Sequence, residues 1–239
     1  MSFNGWLQIL ALFLVVVAVT KPLGLYMYRV FEGAERPSRK VLGPIERWLL
    51  RLCGVSPTDQ QDWVEYAISV LIFSAIGVAV TYAIQRLQHL LPLNPQGLRP
   101  PSADLAFNTA VSFATNTNWQ SYGGESTMSY LTQMAGLAWH NFVSAGAGMA
   151  VALVLARGLT RRPTEGRSAP LGNFYVDLLR SVVYLLLPIG MVFGLVLISQ
   201  GVIQSLSAYV PVTTLEGARQ IVPMGPVGSQ EVIKELGTN

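Results

Sequence analysis

Five stretches of this chain carry no charged residue: 1–20, 66–85, 105–124, 126–156 and 181–215. A bilayer-spanning helix needs about 20 mostly apolar residues, and a charge at its centre costs at least ~2.5–3.5 kcal/mol. The runs therefore report the solvent: the chain reads as an integral membrane protein. Across its 239 residues only 12% are charged, against roughly 25% in a soluble domain. Spanning helices are expected over residues 3–25, 64–85, 129–156 and 182–203. Trp6, Trp63, Tyr66, Tyr82 and Tyr130 fall near their ends, where aromatic rings favour the interface. The first run has no basic residue ahead of it and Lys21 follows it, so it reads as a retained helix, not a cleaved leader. Pro188 should kink the fourth helix, where Gly190 and Gly194 invite close packing.

The same composition excludes several chemistries. Cys53 is the single cysteine and the two histidines are His89 and His140, so neither a disulfide framework nor a metal-ligand spacing is encoded. No GxxxxGK[ST], GxGxxG or HExxH motif occurs, so any coupled ATP hydrolysis belongs to another chain. The net charge of +3 follows from topology. Lys21, Arg29, Arg36, Arg39, Lys40, Arg47 and Arg51 precede the second helix, and Arg157, Arg161, Arg162, Arg167 and Arg180 follow the third. Arg86, Arg99, Arg219 and Lys234 occupy the other side. The positive-inside rule places the two rich loops in the cytoplasm and the N-terminus outside, with no nucleic-acid role. The longer basic loop also offers a docking surface for a cytoplasmic ATPase partner.

The informative segment joins the second and third helices. Pro92, Pro95, Pro100 and Pro101 stop any helix. Ser102 then suits an N-cap and Asp104 a first helical turn. About 12 helical residues follow, roughly 18 Å, too short to span and right for a re-entrant element. The chain then turns polar over Thr115-Asn116-Thr117-Asn118-Trp119-Gln120-Ser121-Tyr122-Gly123-Gly124, before Glu125. An extended polar run after a half-helix can replace the water of a monovalent cation with carbonyl, hydroxyl and amide oxygens. The helix C-terminus favours that cation. No carboxylate lies within 115–124, which argues against a divalent site. An external amphipathic helix followed by an Asn-rich turn fits the pattern too. Elsewhere, His140 and Asn141 in the third helix are either functional groups or partners for a neighbouring helix. The Ser144–Gly148 small-residue cluster is read as packing, and Cys53 and His89 carry no assigned role.

Thr115–Gln120, Gly124-Glu-Ser-Thr127 and Gln133-Met-Ala-Gly136 resemble the first pore loop of the potassium-translocating A subunit of the bacterial Kdp ATPase. The likeness runs collinearly through Gln61-Asp-Trp63, Leu215–Ala218, Gly225-Pro226, Ser229–Glu231 and Leu236–Asn239. It implies an all-α polytopic protein of the potassium-channel type, with helix–pore loop–helix repeats that each give one quarter of a selectivity filter. By position, Thr115, Asn116, Thr117 and Asn118 would bind K+ as that quarter, with Gln120 and Glu125 at its mouth and no catalytic residue on the chain. It also implies a P-type ATPase catalytic subunit, small C and F subunits, and a bacterial inner-membrane location. Family members continue past Leu236–Asn239 into a glycine-rich second filter, so the chain resembles an N-terminal portion. Its expected parts are 1–63, an extra helix and basic loop; 64–157, a first repeat; and 158–239, a loop, the first helix of a second repeat and an external segment. A passive Trk/Ktr-like channel subunit and a non-transporting membrane assembly protein remain alternatives.

Overall fold

The computed structural model describes residues 2–32, 39–162 and 170–237. Arg36, Arg167, Thr238 and Asn239, named above, lie outside them. The chain divides into two compact units, Met1–Gly54 and Val55–Asn239.

The first unit holds α1 (Phe3–Phe31) and α2 (Arg39–Leu52). Ser2 caps α1 through its hydroxyl, which accepts from the Gly5 N–H. The helix runs through Pro22 and ends six residues later than the sequence pattern indicates. That pattern gives the basic loop no internal structure, yet the loop contains α2.

The second unit is built on α3 (Trp63–Leu87). Asp62 accepts from the Glu65 N–H, and the Glu65 side chain accepts from the Asp62 N–H, a reciprocal cap that fixes where the helix starts. Gln61 accepts from the Phe174 N–H and donates to Ser69 Oγ. The Gln61-Asp-Trp63 run therefore starts one helix and ties down the beginning of another. Next come α4 (Ala103–Ala114) and the single turn α5 (Gly124–Thr127). Two long helices follow, α6 (Thr132–Thr160) and α7 (Phe174–Ser199).

Both long helices contain a widened π-helical stretch, Thr132–Ala138 in α6 and Ser181–Leu186 in α7. In α7 the stretch ends just before Pro188, so the helix adjusts its hydrogen bonding ahead of the proline and continues. A two-stranded antiparallel hairpin, β1 (Val210–Thr213) and β2 (Arg219–Val222), pairs Val210 with Val222 and Thr213 with Arg219. The short helix α8 (Val227–Gly237) follows. The segment after α7 thus contains regular elements that its sequence pattern does not announce.

Helices α1, α3, α6 and α7 are long and apolar enough to cross a bilayer, and α4 matches the expected short helix with Ser102 as its cap. The fold is all-α and polytopic. Tyr66, Ala150, Phe174 and Leu178 form a core where α3, α6 and α7 meet. Gly146 belongs to the same contact: a methyl there would sit 3.0 Å from Leu178 and 3.1 Å from Val182.

Three expectations need correction. Tyr66 and Tyr130 are not interfacial rings; they are 3% and 1% exposed. The Tyr66 hydroxyl donates to the Ala150 carbonyl, and that of Tyr130 to the Ser207 carbonyl. Arg157 and Arg180 lie within α6 and α7 rather than in a loop, and both are buried. A methyl on Gly194 would meet nothing within 4 Å, whereas one on Gly190 would meet Phe142 at 3.0 Å; of the two, Gly190 is the close approach.

Candidate functional site

Two glutamines at the end of α3 hold the short helix and its flanks. Gln85 donates to the Thr81 and Ala106 carbonyls. Gln88, fully buried, donates to the Arg99 and Thr127 carbonyls and accepts from the Ser129 N–H and the Thr132 hydroxyl. The Arg86 guanidinium donates to the Pro101 carbonyl. Sequence reasoning misses this set. Its signal is a pair of uncharged amides at the end of an apolar run, where a desolvated amide needs several partners. Beneath the polar turn, Phe113, Met128 and Leu137 form a small core that Tyr122 partly covers.

The polar run is a tight turn, not the extended strand expected. Asn116 and Asn118 take left-handed backbone angles, φ 60° and 54°, which asparagine tolerates better than most residues. The N–H groups of Asn116, Thr117 and Asn118 fold back onto α4, donating to Phe113 O (3.2 Å), Ser112 O (2.9 Å) and Ser112 O (3.2 Å). In a trans peptide each N–H opposes the carbonyl of the preceding residue. The carbonyls of Thr115, Asn116 and Thr117 are therefore directed away from the helix end. Among the described residues, no backbone N–H donates to the carbonyls of 115–118.

The side chains complete the picture. The Thr115 hydroxyl lies 2.9 Å from the Val111 carbonyl and 3.1 Å from Thr117 Oγ1. Asn116 Oδ1 accepts from Ser144 Oγ at 3.0 Å, and Ser144 also bonds the His140 carbonyl. His140 Nδ1 lies 3.0 Å from Thr81 Oγ1 and 3.1 Å from the Gly136 carbonyl. This hydrogen-bonded chain, with His140 in it, fastens the turn to α6 and α3. Gly77 makes room for the ring: a methyl there would sit 2.6 Å from Nε2.

Asn118 differs from Asn116. Both polar atoms of its amide are buried without a partner, as is Asn141 Oδ1. Both residues line a cavity of about 290 Å³, together with Gln120, Glu125, Gln133 and Glu231. Gln120 donates to the Tyr122 hydroxyl at 2.9 Å. Burial pushes the Tyr122 phenol up to about 12, against a smaller opposite pull from the Gln120 amide. Glu125 is exposed, and its main-chain carbonyl accepts from the Tyr209 hydroxyl at 2.7 Å. Burial, then the neighbouring Tyr130 and Glu125, raise the Tyr209 phenol. The structure thus gathers Thr115–Asn118 into one turn and sets Gln120 and Glu125 beside a shared cavity. Chemically the turn offers neutral oxygens to a cation. No cluster of three His, Cys, Asp or Glu side chains able to hold a metal occurs among the described residues.

The chain has relatives among known proteins. Residues 10–239 match the family model of the potassium-transporting ATPase A subunit. Over all 239 residues the chain is 53% identical to a potassium-transporting ATPase potassium-binding subunit of Mesorhizobium japonicum. It is 51% and 52% identical to proteins of the same name from Brucella anthropi and Methylorubrum extorquens. It covers 41% of the length of each of these relatives. With a family match over nearly its whole length, the chain belongs to the potassium-transporting ATPase A subunit family.

Proposed function

We propose that this chain is part of the potassium-binding, pore-forming subunit of an ATP-driven potassium uptake complex in a bacterial inner membrane. Thr115, Asn116, Thr117 and Asn118 supply one quarter of its selectivity filter. The observation that carries this reading is the direction of the Thr115–Thr117 carbonyls, turned from α4 because the next three N–H groups bond its last carbonyls. Such oxygens replace hydration water of a monovalent ion at little reorganisation cost. The open amide of Asn118 adds a further acceptor, and Gln120 and Glu125 stand at the mouth. The re-entrant helix enters from the external side, where the N-terminus also lies. ATP is hydrolysed by a P-type catalytic subunit, with small C and F subunits completing the complex, and K+ is the cargo.

The test uses the full-length subunit in its complex and measures K+ uptake against Na+ and Rb+. Asn116→Gly keeps access to the left-handed backbone and removes the amide, whereas Asn116→Val disfavours that backbone. Selectivity should fall further in the valine variant than in the glycine variant. Equal and unchanged K+/Na+ discrimination in both would sink the filter assignment. Uptake that persists without ATP hydrolysis would favour a passive channel.

A further inference from the structure

We propose that α2 is an interfacial helix that sinks one apolar stripe into the membrane surface and binds anionic lipid headgroups through Lys40, Arg47 and Arg51. At 100° per residue, Val41, Ile45, Trp48 and Leu52 fall within roughly 60° of the helix circumference. All four are exposed, by 74%, 46%, 63% and 73%. On the opposite side Glu46 and Leu50 are 4% and 2% exposed, and Gly43 is buried too. The face that packs within the chain is thus already used, and it is not the apolar one. Lys40, Arg47 and Arg51, all exposed, cluster on one flank about 100° from the stripe. That flank is where long basic side chains reach headgroups while the stripe lies below them.

Three features select a lipid surface as the occupant. The flank carries one sign of charge, complementary to anionic headgroups. The stripe contains Trp48, whose amphipathic ring favours the interface. And α2 begins eight residues after the membrane-crossing α1 ends, a link of at most about 29 Å, so the helix stays within reach of the bilayer face that receives α1.

The experiment places a photoreactive, environment-sensitive probe on Ile45→Cys in the full-length complex. The complex is reconstituted in vesicles of phosphatidylcholine with or without phosphatidylglycerol. With phosphatidylglycerol, the probe should be shielded from an aqueous quencher and should crosslink to lipid. Removing the charges by K40Q, R47Q and R51Q should weaken the shielded state on the order of fivefold per charge, from about 1 kcal/mol per basic residue at an anionic surface. Because these three side chains are exposed, their loss leaves the packed face of α2 intact. A probe open to the quencher in both vesicles overturns the proposal. So does shielding that ignores both phosphatidylglycerol and the three charges, or crosslinking to a polypeptide, which would make the stripe a protein-docking face.

Discussion

Replacing Asp177 with Asn should destabilise the helical core by about 3–5 kcal/mol, the range for stranding a buried charge. The Asp177 carboxylate takes both arms of the Arg157 guanidinium, Nη1 to Oδ2 at 2.5 Å and Nη2 to Oδ1 at 3.0 Å. The two side chains are 7% and 2% exposed, so solvent screens the pair little. The Tyr66 hydroxyl approaches Oδ2 at 3.2 Å, and Arg157 Nη1 also donates to the Leu171 carbonyl at 2.9 Å. An amide keeps the shape and loses the charge, leaving the guanidinium buried with a weaker partner. Replacing both residues with apolar groups of similar volume, R157M with D177L, removes that liability and should cost far less, since such swaps are often neutral. The assay is reversible unfolding of the full-length protein in mixed micelles on titration with a denaturing detergent, read by far-UV circular dichroism. Run as a double-mutant cycle with R157M and D177L as the single variants, it should give a coupling of about 3 kcal/mol. A D177N cost below about 1 kcal/mol, or a double variant no better than D177N, would refute the reasoning that an uncompensated charge is the penalty.

Gly172 sits at φ +99° and a methyl there would land on the Arg157 guanidinium. Gly172→Ala should therefore cost about 1–3 kcal/mol in the same titration, and less in an R157M background. Ser144→Ala removes the hydroxyl that donates to Asn116 Oδ1. At about 1 kcal/mol for such a bond, K+ affinity of the full-length complex should fall roughly fivefold, as read from the uptake half-saturation. The Tyr122 phenol, raised to about 12 by burial, stays protonated in the fold at pH values where the unfolded chain ionises, near 10. Its contribution is present below pH 10 and lost as pH rises from 10 to 12. Tyr122→Phe should flatten that part of the alkaline unfolding curve.

What can be read in the sequence is what depends on local pattern. Residues 103–114 show as a helix because Pro100 and Pro101 forbid an earlier start, Ser102 can cap, and the Thr/Asn run ends the apolar pattern. The four crossings show because a bilayer core excludes charge over the length of a whole helix, and the uncharged runs have that length. What fails depends on contacts distant in sequence. Tyr66 and Tyr130 sit where interfacial rings sit, and only the carbonyls of Ala150 and Ser207 reveal that they point inward. Arg157 and Arg180 count as topology signals because a lone sequence does not show a buried aspartate 20 residues beyond Arg157. The shape of the turn is half visible. Two asparagines spaced by one residue permit alternating left-handed backbone, but only Ser112, accepting twice, decides that the turn closes on α4.

The way the turn is supported bears on which ions it can take. Among the described residues no Asp, Glu, Lys or Arg side chain takes part in fastening it to the helices; the bonds run through Asn116, Ser144, the backbone of α4, and through His140 to the hydroxyl of Thr81. A carboxylate in this first layer would hold a monovalent ion too tightly to release and would favour a divalent one, since hard divalent cations take carboxylate oxygens. Glu125 is the nearest carboxylate in sequence and lines the neighbouring cavity, but it is exposed. Its field is screened over about 8 Å at physiological ionic strength. It can raise the local cation concentration but cannot discriminate among cations of equal charge. Under the proposed filter assignment, discrimination falls to the spacing of neutral oxygens, set by how rigidly the N–H groups of 116–118 are held on α4. This is why the Ser144 hydroxyl, which touches no main-chain carbonyl of the turn, should affect K+ affinity while the exposed carboxylate of Glu125 should affect chiefly the rate at low salt.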